Sequence, residues 1–97
     1  MIKKTLRKDG YFHVSFYTEA MAEVESVHLV GSFNDWDTNV HPMRRLKNGR
    51  YMASCVFDPG ARHEFRYLVN GENWINDAQA DQYAPNPHGS DNCVVTT

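Results

Sequence analysis

Apolar and polar residues alternate with period two along most of this chain, and Gly, Asn and Asp interrupt the alternation at short intervals. In residues 11–17, "YFHVSFY", Phe12, Val14 and Phe16 alternate with Tyr11, His13 and Ser15. Residues 26–33 set Val27 and Leu29 against His28 and Val30. Residues 49–57 place Tyr51, Ala53, Cys55 and Phe57 on one face and Met52, Ser54 and Val56 on the other. Residues 63–71 place Phe65, Tyr67 and Val69 opposite Glu64, Arg66 and Leu68, and "NCVVT" ends the series. Such alternation predicts strands half-buried on one face. Between them "KDG", "KNG", "DPG" and "VNG" carry residues that accept left-handed turn conformations.

No helix longer than a turn is predicted. Residues 18–26, "TEAMAEVES", hold helix formers but are short and lie between two strands, so they read as a loop. Residues 76–92, "NDAQADQYAPNPHGSDN", read as a polar, Pro-bearing loop of a length usually kept for function. Short strands at this spacing in a chain of 97 residues predict an all-β fold, an immunoglobulin-like antiparallel β-sandwich of one domain. Residues 1–10 are set apart as a basic N-terminal segment, and residues 11–97 as the sandwich.

Composition narrows the function. With 41% hydrophobic and 23% charged residues and a formal net charge of −2, the chain is an ordinary globular one and lacks the basic surface of a nucleic-acid binder. "KKTLRK" gathers cations, yet "DGYFHV" follows it rather than an apolar run, so it does not read as a signal peptide. No segment has the ~20 apolar residues that a membrane span requires. The expectation is a cytoplasmic protein that touches neither membrane nor nucleic acid. Cys55 and Cys93 sit in no metal-binding spacing and read as free thiols.

Catalysis finds little support. No GxSxG elbow is present, the acids are scattered over turns, and the five histidines show no HxxxH or HxH pairing. Asp77 and Asp81 lack the glycine and terminal glutamate of a calcium loop. The chain is read as no enzyme, with no cofactor and no metal. Binding fits better. Both tryptophans, Trp36 in "GSFNDWD" and Trp74 in "VNGENWIND", fall among turn residues, where an indole is hard to bury. A sugar ring offers a flat face of C–H groups and a rim of hydroxyls, which flat aromatics and flanking donors match. Arg66, opposite Phe65 and Tyr67 in alternation, points away from the core, and Asn73 and Asn92 are candidate rim partners.

Three motifs in combination carry a resemblance. G-S-F-N-x-W follows an apolar strand, P-G-x-x-H-x-F-R-Y-x-V-N-G comes about 25 residues later, and W and then G-S-x-N close the set. From about Tyr11 to Thr96 the chain resembles the family 48 carbohydrate-binding modules. These include the glycogen-binding domain of the AMP-activated kinase β subunit and the N-terminal domains of isoamylases and branching enzymes. The resemblance implies an early-set immunoglobulin-like sandwich that binds an α-1,4-glucan polysaccharide or oligosaccharide (glycogen, starch or malto-oligosaccharide). It implies roles in sugar binding for Trp36, Trp74, Arg66 and Asn92, with Ser90 as a hydroxyl partner. Where the family's binding members usually have lysine, this chain has Arg66, and where some place an apolar residue before the late G-[ST] it has His88. Two alternatives accompany this expectation. One is a module that docks on a glycogen-metabolising enzyme or kinase. The other is an N-terminal domain cut from a family 13 glycoside hydrolase, although the leading Met and the ending "CVVTT" read as a small complete frame.

Overall fold

The alternation folds into nine strands in the computed structural model, which describes all 97 residues. They are β1 (Ile2–Leu6), β2 (Phe12–Tyr17), β3 (Val27–Gly31), β4 (Arg44–Arg45), β5 (Tyr51–Phe57), β6 (Arg62–Val69), β7 (Asn73–Ile75), β8 (Gln82–Pro85) and β9 (Asp91–Thr96). One antiparallel sheet runs β1-β2-β5-β4 and the other β3-β6-β9-β8, with β7 paired to the C-terminal half of β6. This is the expected immunoglobulin-like β-sandwich. The only helical segment is a 3-10 turn, Ser32–Asn34, so nothing here is long and apolar enough to cross a membrane as a helix.

The inward residues are those that the period-two pattern selects. Val14 and Phe16 on β2, Val27 and Leu29 on β3, Tyr51 and Phe57 on β5, Phe65, Tyr67 and Val69 on β6, and Cys93 and Val95 on β9 form one buried cluster. Burying each large apolar side chain contributes about 1.5–3 kcal/mol relative to leaving it in water. The ring of Phe16 meets that of Phe65 edge-on at 4.9 Å between centroids, which joins the two sheets directly.

Two segments are more ordered than the sequence suggests. Residues 1–10, expected to lie ahead of the sandwich, supply its edge strand β1, in register from Ile2 opposite Phe16 to Leu6 opposite Phe12. Lys4 then reaches Asp81 with its ammonium at 2.6 Å. Within the loop expected over residues 76–92, β8 pairs with β9 from Gln82 opposite Val94 to Pro85 opposite Asp91. β8 is a four-residue edge strand, and its proline ends it. Residues 18–26 form a loop, as expected.

The other face of the second sheet is the one that matters for function. Arg62, Glu64, Arg66 and Leu68 alternate onto it along β6. Pairing adds Val30 opposite Arg66, Val94 opposite Glu64 and Trp74 opposite Leu68. Val30, Leu68 and Val94 are buried even on this side. The face therefore has an apolar floor with polar and aromatic groups set around it.

His63 lies against the aromatic cluster, 4.3 Å from the Phe57 ring and 5.7 Å from Phe33. Burial lowers its pKa below 6.5, and Asp58 opposes the shift only in part. A folded-state pKa below the unfolded one means that acid favours the unfolded chain. The melting temperature is therefore expected to fall as pH drops from 7 towards 5. His63→Phe, which keeps an aromatic ring there, should remove that part of the slope. An unchanged slope in the variant would assign it to other groups.

Candidate functional site

The site begins with the turn after β3. A Cβ at residue 31 would be driven against the backbone oxygen of Glu64 and lie 2.5 Å from Cε2 of Phe33, so this strand approaches β6 as closely as only glycine permits. Phe33 then turns inward onto Phe57 at 5.1 Å. The Asn34 side chain closes the turn, accepting the Gly31 N–H at 3.0 Å and donating to the Leu29 carbonyl at 3.0 Å. Asp35 and Trp36 follow, both left-handed at φ 57°. Two consecutive non-glycine residues in that region cost on the order of 1–3 kcal/mol each. The result is to throw the Trp36 indole outward, where it is 38% exposed.

Trp74 arrives from the other side. Asn70 and Gly71 take left-handed conformations at φ 54° and 69°, turning β6 back into β7 and setting Trp74 opposite Leu68, 40% exposed. Arg66 is held beside it: its Nε donates to Asn76 Oδ1 at 2.8 Å, and Asn76 Nδ2 donates to the Asp91 carbonyl at 2.9 Å. The Arg66 Cζ stands 6.0 Å from the centre of the Trp74 ring, within cation–π reach. A lysine could reach this place but could not offer a side N–H to Asn76 while keeping its charge over the ring.

The third element is the turn between β8 and β9. Asn86 Oδ1 accepts the backbone N–H groups of His88 at 2.9 Å and Ser90 at 3.2 Å, folding residues 86–90 back over the sheet. Asn92, 8% exposed, donates to Glu64 Oε1 at 3.1 Å and accepts from Asn86 Nδ2 at 3.1 Å. Glu64 is an anion here, held below the usual carboxylate range first by the Arg62 hydrogen bond and then by that from Asn92.

These parts enclose a cleft of about 570 Å³ lined by Trp36, Arg66, Trp74, Asn86, Pro87, His88, Ser90 and Asn92. Five of the six residues singled out from the sequence line it. Asn73 does not: as the neighbour of Trp74 on β7 it projects to the opposite side and stands exposed in solvent. Asn76, Asn86 and Glu64 were not anticipated. The signal for Glu64 was its place two residues before Arg66 on one strand face, and for Asn86 its position at the head of a Pro-Gly-bearing turn.

One constellation elsewhere has the outline of a catalytic triad. Cys55 Sγ lies 3.9 Å from His41 Nε2, and His41 Nδ1 lies 2.9 Å from Asn34 Nδ2. Its polarity is wrong for a nucleophile. The Gly31 and Leu29 backbone groups fix which way the Asn34 amide points, so its N–H faces Nδ1 and the imidazole proton must sit on Nε2, facing the sulfur. The imidazole then donates to sulfur instead of drawing its proton, and burial pushes the Cys55 thiol up to about 11. No three His, Cys, Asp or Glu side chains come together as a metal site.

Comparison with known proteins agrees with this architecture. Residues 18–97 match the family described as the glycogen recognition site of AMP-activated protein kinase. The chain is 33% identical over 79 residues to the 1,4-alpha-glucan branching enzyme GlgB of Butyrivibrio fibrisolvens, an alignment covering 79% of this chain and 11% of that enzyme. It is 36% identical over 59 residues to the enzyme of the same name from Novosphingobium aromaticivorans, covering 60% of this chain and 8% of that one. The chain thus spans about a tenth of the length of the curated relatives it matches.

Proposed function

Since this chain belongs to the family of the glycogen recognition site of AMP-activated protein kinase, we propose that it is a non-catalytic module that binds α-1,4-glucan in the cleft between Trp36 and Trp74. The observation that carries this reading is the meeting of two half-exposed indoles with the hydrogen-bonding side chains of Arg66, Asn86, Ser90 and Asn92 around one cleft. Each indole face is a platform for the C–H face of a glucose unit. Around the platforms Asn92 and Ser90 offer amide and hydroxyl groups to the sugar rim, and the free end of the Arg66 guanidinium offers N–H donors. Asn73, which stands outside the cleft, has no part in it.

The relatives are named as branching enzymes, and this chain corresponds to a small part of them. The module serves by holding glucan, and bond-making chemistry belongs to a separate catalytic unit. The direct experiment is retention on glycogen followed by competition with β-cyclodextrin, a ring of α-1,4-linked glucose. Retention that β-cyclodextrin releases is expected. Passage through glycogen without delay would transfer weight to a docking role for the sandwich face.

A further inference from the structure

One carboxylate orients two amides at the edge of the cleft. Glu64 is 29% exposed in its side chain, and its Oε2 is taken by Arg62 at 3.0 Å. Its Oε1 accepts from Asn92 Nδ2 at 3.1 Å. A carboxylate can only accept, so the Asn92 NH2 must turn towards Glu64 and the Asn92 oxygen must turn away from it. That oxygen then accepts from Asn86 Nδ2 at 3.1 Å, which leaves the Asn86 oxygen to gather the backbone N–H groups of His88 and Ser90. Reversing either amide would place NH2 against NH2 or leave the turn's N–H groups without an acceptor.

We propose that Glu64 is a positioning residue for the sugar site: it touches no sugar itself, but sets the direction of the Asn92 amide and, through Asn86, the shape of the 86–90 turn. This rests on the glucan-binding reading above. With its orientation set, Asn92 keeps one N–H and one lone pair for a ligand, the pair that a sugar hydroxyl needs in order to accept and donate at once. An unset amide would present the wrong end part of the time. The unbound protein therefore already holds its polar rim in the binding arrangement, which lowers the ordering cost of association.

The test is a double-mutant cycle read by calorimetric titration with maltoheptaose, with melting temperature recorded for each variant. Glu64→Ala should lose about 3–10-fold in affinity, the effect of one hydrogen bond's worth of orientation. In an Asn92→Ala background the same change should cost nothing further, because Glu64 acts through Asn92. Glu64→Gln, whose oxygen can still accept from Asn92, should recover affinity to within about 2-fold of the parent. Equal losses in both backgrounds, or a Glu64→Gln variant as weak as Glu64→Ala, would overturn the positioning role while leaving the glucan site intact. A parent protein that takes up no maltoheptaose would instead overturn the glucan reading, and this proposal with it.

Discussion

Trp36→Ala and Trp74→Ala are each expected to weaken binding of maltoheptaose about 5–70-fold without unfolding the sandwich. One face of an indole loses roughly 50–100 Å² to a sugar ring, worth about 1–2.5 kcal/mol at ~25 cal/mol per Å². The fold should survive because neither indole belongs to the central cluster: Trp36 is 38% and Trp74 40% exposed, while that cluster is built of Phe, Tyr, Val, Leu, Met and Cys side chains. The Trp36 variant should in fact lose little stability, since a left-handed φ of 57° is as strained for tryptophan as for alanine. Trp74→Ala removes a cross-strand neighbour of Leu68 and the ring beneath Arg66, so it should cost more in both stability and affinity. Titration and thermal unfolding of both variants check this. A variant that melts far below the parent would place its tryptophan in the core.

Gly31→Ala should lower stability sharply, since of the six glycines only Gly31 has heavy atoms closer than 3 Å to where a Cβ would go. The added methyl would meet the Glu64 carbonyl oxygen and Phe33 Cε2, the first on the backbone of a paired strand and the second on a half-buried ring packed against the core. Neither can move aside cheaply, and overpacking at such a place costs about 2–4 kcal/mol. For a domain of this size that lowers the melting temperature by roughly 10–25 °C. The backbone of β3 itself is not strained there. Close approach, and not a left-handed φ, is what demands glycine. A melting temperature within a few degrees of the parent would show that β3 can shift away from β6 without loss.

Those two positions show how the sequence can be read. Gly31, Phe33, Asn34 and Trp36 belong to one motif, and its physical content is a division of labour: close approach, inward ring, turn closure, outward platform. Alternation alone found the inward residues of β2, β3, β5, β6 and β9, because each strand is long enough to repeat its period. It did not find β1, whose cations hid the alternation of Ile2, Lys4 and Leu6, and whose existence depends on a distant partner in β2. Nor did it find β8, a four-residue edge strand whose one pairing partner is β9. Asn73 stands outside the cleft for a related reason. Until β7 is known to be a strand, nothing says that Asn73 and Trp74 must point to opposite sides. Glu64 and Asn86 escaped notice because each acts on another side chain, and such relays leave no spacing of their own.

The central claim is that this cleft binds α-1,4-glucan through flat apolar contact and hydrogen bonds to uncharged hydroxyls. Calorimetric titration with maltoheptaose at low and moderate salt tests it most directly. Two stacked rings and a few hydrogen bonds, offset by the ordering of a flexible sugar, leave a surplus of about 4–7 kcal/mol, or a Kd between roughly 10 μM and 1 mM. Arg66 is tied to an amide and meets hydroxyls, with no anion to pair with, so salt should change the affinity by less than about 2-fold. Heat with a Kd in that range at both salt concentrations is the predicted result. No heat at millimolar sugar, or a tenfold loss of affinity on adding salt, would contradict it.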